Sequence, residues 1–386
     1  MKIAFVCTEK LPVPPILSGA IQIYITNLLP ILSKYHDITV FSLRNDKLKD
    51  EEQNGNITHI RVAGRTKAEY VNNIKERLTD EFDLVHVFNR PKWIKILSSN
   101  LPNTPFSLSL HNEMFLPKKI DAKRAKECID RVEFICTVSE FIANGVQNPY
   151  PNARGKMNAV YSAVDLNLIK PFWSEGVLKD RIDMRKKYGV ADNAKVIIYV
   201  GRLSKKKGPD VLIKAMKSVL EDYPDTKLIF VGSKWYGNNA TDDYVKNLQA
   251  EAKELKDNIA FTGFLTPDEI PKYYNMGDMF VCTSQWQEPL ARVHYEAMAS
   301  ALPMITTNRG GNAEVINQGV NGFAIDDYTN PDEFSKYIKY FIENEEKAIE
   351  MGKKGRKFVE EHHNWNVIAN RLLRLFGGVA KKYNKK

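Results

Sequence analysis

Residues 196–209 read Val-Ile-Ile-Tyr-Val-Gly-Arg-Leu-Ser-Lys-Lys-Lys-Gly-Pro. Five apolar residues rich in β-branched types run into a loop carrying Arg202 and Lys205 to Lys207, and Pro209 stands where a first helical residue belongs. The pattern is strand, basic loop, helix. Working outward, it recurs. Strand candidates follow at Lys227 to Val231, Ile259 to Thr262, Met279 to Cys282, Met304 to Thr306 and Phe323 to Ile325. Before it lie Ile3 to Cys7, Ile38 to Leu43, Ile57 to Val62, Leu84 to Phe88, Phe106 to Leu110, Phe134 to Val138 and Met157 to Tyr161. Helical patterns separate them, the clearest being Ile21 to Tyr35, with Pro30 inside it; the end reads as helical from Pro331 to about Ala380. Short apolar strands alternating with helices define an α/β chain of βαβ units on parallel sheets.

A chain of 386 residues exceeds what one core usually serves, so two doubly wound domains are expected. The segment Asp165 to Trp173, with Pro171, reads as their linker. This divides the chain into residues 1–170 and 171–364, and places the ligand in the cleft where the two face each other, at the carboxyl ends of strands.

Composition narrows the function. A 43% hydrophobic and 27% charged chain is ordinary globular material. No run approaches the roughly 20 apolar residues of a membrane helix, and no secretory leader is read at the amino terminus. The four cysteines, Cys7, Cys128, Cys136 and Cys282, lie far apart without a CxxC, which fits a reducing cytoplasm. The net charge of +9 suits a phosphate-bearing substrate, an anionic surface or nucleic acid. The lysines are dispersed and no basic face carries interleaved aromatics, so nucleic acid ranks last. The tail Lys381-Lys382-Tyr383-Asn384-Lys385-Lys386 reads first as solvated and second as a weak peripheral hold on an acidic surface. A GxGxxG after a strand, a Walker loop, a GxSxG elbow, an HExxH and a DxD pair are all missing from the sequence. With no metal-binding pair and no cofactor motif, charge on a diphosphate would have to be met by side chains and helix starts.

Three segments supply such chemistry. Arg202 can fork onto two phosphate oxygens and Lys207 adds a point charge beside a helix start; a solvated basic loop is the bland alternative. Glu288, followed by Pro289, reads as an N-cap, which sets Glu296 roughly 12 Å further along one helix, and carboxylates accept hydrogen bonds from sugar diols. Gly310 and Gly311 form a turn whose backbone amides can approach an anion, or simply a tight turn. Near the amino terminus, Ser18-Gly19-Ala20 precedes the first helix, and His111 ends a strand.

In this order, Gly19-Ala20, His111, Thr137-Val138-Ser139-Glu140, Val164-Asp165, Gly201-Arg202-Leu203 with Lys207-Gly208, Glu288 to Glu296 with Ala297-Met298, and Gly310-Gly311 with Glu314 resemble the retaining glycosyltransferases of family 4. That family has the GT-B fold of two facing Rossmann-like domains. The resemblance implies a metal-independent, retaining transfer of a hexose or N-acetylhexosamine from a nucleotide-diphosphate donor, by similarity UDP-linked, with no further cofactor. It puts Arg202 and Lys207 on the diphosphate, Glu288 on the donor sugar, Glu296 on the ribose and His111 beside the reacting sugar, with Gly19, Gly310 and Gly311 lining the donor site. It gives the acceptor, an unidentified glycan, lipid-linked or protein group, to the first domain, to which a last helix over residues 365–386 returns. Thr8 to Pro12 and Glu288 to Glu296 are similar to a spore-coat branch of the family, which implies association with the spore coat or a membrane surface. The chain departs from the family at Leu290-Ala291 after the Glu-Pro, at Ser162-Ala163 before Val164-Asp165, and at His111-Asn112. A non-catalytic coat protein with the same fold and a nucleotide-sugar epimerase are the alternatives.

Overall fold

The computed structural model describes residues 1–16, 19–234 and 239–383. The chain forms two compact units, Met1–Ser162 together with Trp365–Lys386, and Ala163–Asn364. The break therefore falls before the segment Asp165 to Trp173 rather than at residue 170. That segment belongs to the second unit, where Val164 bridges Asn364 and the Val164 amide donates to the His363 carbonyl at 2.9 Å.

Unit 1 runs β1 (Lys2–Val6), α1 (Ala20–Leu32), β2 (Asp37–Leu43), β3 (Glu51–Asn54), β4 (Ile57–Val62), α2 (Lys67–Lys75), β5 (Leu84–Phe88), α3 (Pro91–Ser98), β6 (Phe106–Leu110), α4 (Ala122–Arg131), β7 (Val132–Thr137), α5 (Glu140–Gln147) and β8 (Met157–Ala159). Its sheet order is β3-β4-β2-β1-β5-β6-β7-β8, parallel except for β3. β5 and β6 are buried at every residue, as strands covered on both faces must be, which explains their continuous apolar runs. Polar residues inside them are matched: His86 lies between the Ser107 and Ser109 hydroxyls, 2.7 Å from each. β3 has no apolar residue and was not expected. It pairs antiparallel on the exposed edge, where the Glu52 carboxylate meets the buried Arg61 of β4 at 2.5 Å. Helix α1 ends at Leu32, short of the expected Tyr35, with Pro30 in its last turn.

Unit 2 runs α6 (Val177–Lys187), β9 (Val196–Val200), α7 (Pro209–Asp222), β10 (Lys227–Val231), α8 (Asp243–Lys253), β11 (Ile259–Phe261), α9 (Ile270–Met276), β12 (Met279–Val281), α10 (Val293–Ala299), β13 (Met304–Thr307), β14 (Gly322–Ile325), α11 (Pro331–Glu343) and α12 (Glu345–His362). Its six strands, in the order β11-β10-β9-β12-β13-β14, are parallel throughout. Pro209 is the first residue of α7, as its missing N–H favours. The single helical tail expected from Pro331 is three helices, the last being α13 (Trp365–Tyr383), which belongs to unit 1. There Phe376 packs against Phe5, His86 and Phe134, with ring centroids 6.0 to 6.3 Å apart, and Lys382 pairs with Glu133 at 2.7 Å. The end of the lysine-rich tail, residues 384–386, lies outside the described residues, as do Leu17 and Ser18.

Each sheet reverses winding direction once. β1 lies between β2 and β5, and β9 between β10 and β12. Loops leaving the carboxyl ends of adjacent strands diverge at these points, and open α/β sheets bind ligands there.

Candidate active site

In unit 2 the switch point brings together the loop after β9 and the loop after β12. Lys207 ends a single 3-10 turn, Lys205–Lys207, and Gly208 follows in the left-handed region at φ 62° before α7 begins. A Cβ on Gly208 would stand 2.3 Å from the Thr283 carbonyl oxygen. This close approach locks the loops together: the Thr283 hydroxyl donates to the carbonyls of Lys207 and Gly208 at 3.0 and 2.8 Å, and the Gln285 amide donates to Lys206 at 2.8 Å.

The result is a clamped carboxylate. Lys207 Nζ at 2.6 Å, Ser284 Oγ at 2.9 Å and Trp286 Nε1 at 2.5 Å all donate to Glu288 Oε2. Glu288 is 8% exposed. Its other oxygen, Oε1, has no partner among the described residues. Glu288 is not the N-cap it was expected to be. Helix α10 starts at Val293 after Arg292, so Glu288 lies in the preceding loop and the helical spacing to Glu296 does not apply. The Gly310–Gly311 turn packs closely against this loop. Gly310 has φ 63°, and a Cβ on it would fall 2.0 Å from the Glu288 carbonyl oxygen.

The Gly310 amide donates to Gln287 Oε1 at 2.6 Å and the Gly311 amide to the Glu288 carbonyl at 2.8 Å. Both amides expected to face an anion thus bond the loop that carries Glu288, one at Gln287 and one at Glu288 itself. Glu296, on α10, accepts from the Tyr274 hydroxyl at 3.0 Å and lies 3.7 Å from Arg292 Nε. His294 is fully buried, with Nδ1 2.9 Å from the Ala291 carbonyl and Nε2 2.7 Å from the Thr306 hydroxyl; burial lowers its pKa to about 4. It packs the helix onto β13 and does not line the site. Arg202 is exposed on the loop after Gly201, and its carbonyl accepts from the buried Tyr199 hydroxyl at 3.2 Å.

In unit 1, Gly19 has φ 138° at the start of α1, with Gln22 Oε1 2.4 Å from where a Cβ would stand. His111 leaves the end of β6. Its amide donates to Asn89 Oδ1 at 3.1 Å, and its ring stands edge-on to Tyr24 at 5.0 Å. Burial lowers its pKa to about 4, so the imidazole is neutral near pH 7.

Sequence reasoning missed Ser284 and Trp286, which no motif marks. It also missed the Lys207–Glu288 contact, whose partners stand 81 residues apart. Among the described residues no group of three or more His, Cys, Asp or Glu could hold a metal ion, and no helix is long and apolar enough to cross a membrane. All four cysteines are buried thiols.

Two Rossmann-like units of parallel strands, the second with a clamped glutamate at its switch point, define a two-domain α/β protein of the GT-B class. The crystal structure of Anabaena Alr3699/HepE in complex with UDP superposes with a TM-score of 0.77 at 22% identity, covering 98% of this chain and 100% of that one. Residues 180–358 match the family model described as glycosyl transferases group 1. Spore coat protein SA of Bacillus subtilis (strain 168) is 43% identical over 376 residues, 97% of this chain and 99% of the relative. YtcC of the same strain, named as a glycosyltransferase, is 42% identical over 386 residues, 100% of this chain and 94% of the relative. The chain belongs to the group 1 glycosyltransferases.

Proposed function

We propose that unit 2 binds a nucleotide-diphosphate sugar at the β9/β12 switch point and that the enzyme transfers its hexose or N-acetylhexosamine, with retention and without a metal, to an acceptor taken by unit 1. The observation that carries this reading is the triple clamp on Glu288 Oε2, which leaves Oε1 to accept hydroxyls of a donor sugar. Lys207 and Arg202 stand beside the amino-terminal end of α7, where cations and the helix dipole together favour a diphosphate. As the glycosidic bond breaks, charge develops on the leaving diphosphate. Arg202 and Lys207 stabilise it there, and the departing oxygen takes the acceptor's proton on the same face of the sugar. Glu296 reads the ribose, oriented by Tyr274 and Arg292. His111, held neutral by burial, offers a hydrogen bond to the reacting sugar and no positive charge.

A UDP-linked donor is the first choice, because HepE was crystallised with UDP. Buried thiols suit a cytoplasmic enzyme, and the name of the spore-coat relative motivates an association with that structure. The same name favours a second reading, a coat protein that keeps the fold without transferring sugar. Thermal unfolding with a panel of UDP-, GDP- and ADP-sugars separates the two. A donor at a hundred times its dissociation constant adds about 2.7 kcal/mol, and Arg202→Ala and Glu288→Ala variants that fold should lose turnover with it. No stabilisation by any donor favours the coat role; wild-type turnover in both variants overturns the assignment of roles.

A further inference from the structure

Lys207 donates to Glu288 directly, whereas the residue before it turns to the neighbouring tryptophan. The Lys206 ammonium stands 5.2 Å from the centroid of the Trp286 ring, within the roughly 6 Å over which the negative face of an indole holds a cation. Backbone contacts set this placement. The Lys206 carbonyl accepts from the Gln285 amide at 2.8 Å and from the Ser284 hydroxyl at 3.4 Å, so Lys206 is fastened to the two residues that precede Trp286. Gln285 is fixed in turn, its side-chain amide donating to the carbonyls of Thr283 and Tyr328 at 2.8 Å each.

The edge of the same ring carries the indole N–H that donates to Glu288 Oε2 at 2.5 Å. One tryptophan therefore joins an exposed ammonium to a carboxylate that is 8% exposed. A cation over the ring acts on that bond in two ways. It holds the ring plane, and with it the direction of the N–H. It also draws electron density out of the ring and makes the N–H a stronger donor, as linked polar contacts polarise one another where water is scarce. The Lys207 and Ser284 bonds to Oε2 do not pass through the ring, so Lys206 acts on one donor of the three.

We propose that Lys206 is a positioning residue for Glu288, acting through the indole of Trp286 and not by touching the nucleotide sugar. Only its effect on donor binding rests on the function proposed above.

The test begins without any donor. Nitrogen-15 labelling of the five tryptophans gives five indole N–H signals, and Trp286→Phe identifies the one from residue 286. In Lys206→Met that signal should move upfield and its proton should exchange with water faster; Lys206→Arg should return both to near the wild-type values. Calorimetry with UDP and with UDP-glucose reads the consequence. Lys206→Met should weaken UDP-glucose about two- to fivefold, the size of an exposed cation–π contact, and leave UDP at the wild-type affinity, because Glu288 meets the sugar. In the Trp286→Phe background the same change should cost nothing further. An unaltered indole signal and exchange rate in Lys206→Met, an equal loss of affinity for UDP, or an equal loss in the Trp286→Phe background overturns the proposal. If the wild type binds UDP-glucose no better than UDP, the reading of the sugar by Glu288 falls instead, and the indole signal still tests Lys206.

Discussion

Lys207 Nζ donates to Glu288 Oε2 across 2.6 Å, tying the loop after β9 to the loop after β12 at the switch point of the second sheet. Both side chains are largely buried, 18% and 10% exposed, so removing one leaves the other charge poorly solvated. Lys207→Ala and Glu288→Ala should each lower stability by about 2 kcal/mol, less than the roughly 3 to 5 of a fully enclosed pair. The double variant should lose less than the two singles together, with a coupling of about 0.5 to 3 kcal/mol. Urea denaturation of the four proteins measures it.

Trp286 reaches the same carboxylate oxygen through its indole N–H at 2.5 Å. Trp286→Phe keeps most of the ring and removes that bond. Stability should change by about 1 kcal/mol, whereas kcat/KM for the nucleotide sugar should fall about tenfold as Glu288 loses its orientation. Steady-state kinetics beside a thermal melt reads both.

Gly310 and Gly319 both have positive φ, 63° and 72°, but only Gly310 is crowded. Its added Cβ would lie 2.0 Å from the Glu288 carbonyl oxygen, while Gly319 has nothing within 4 Å. Gly319→Ala should cost about 1 to 2 kcal/mol, the left-handed strain alone. Gly310→Ala should cost at least about 1 kcal/mol more and abolish transfer by shifting Glu288. Equal losses of stability and intact activity in both variants would remove Gly310 from the site.

Burial lowers the pKa of His86 to about 3 and of His111 and His294 to about 4. Between those values and the ordinary pKa near 6.5, the unfolded chain binds protons that the folded chain refuses. Stability therefore rises with pH through this window and falls as pH drops through it. Each histidine contributes a slope of up to about 1.4 kcal/mol per pH unit there. Urea midpoints should fall markedly from about pH 7 to about pH 5, and His294→Asn should flatten the decline. A decline unchanged in that variant would mean that His294 already titrates normally in the folded chain.

Most strands were legible because parallel strands buried on two faces leave continuous apolar runs: Leu84–Phe88, Phe106–Leu110, Val196–Val200 and Lys227–Val231 carry the expected bounds. Glu51–Asn54 was not, since an exposed edge strand needs no apolar residue and its pairing depends on Arg61 of the neighbouring strand. In the candidate site, Pro209 showed where α7 begins, but Glu288-Pro289 suggested a helix that starts only at Val293. Local preference lost there to tertiary contacts. The Gly311 amide holds the Glu288 carbonyl and Asn312 Oδ1 holds the Ala291 amide at 3.2 Å, bonds that tie the segment to the turn after β13 rather than into a helix. Neither Ser284 nor Trp286 could be found from local pattern, because their importance comes from where a distant lysine places its ammonium.

The loops after β9 and β12 are proposed to grip a pyrophosphate while Glu288 reads the attached sugar, and a crystal structure with UDP-glucose bound tests this. Diphosphate oxygens should lie within hydrogen-bond reach of Lys207 Nζ and the Arg202 guanidinium, with a sugar hydroxyl on Glu288 Oε1. Nucleotide bound elsewhere, with Glu288 Oε1 touching no part of it, would rule out this donor site.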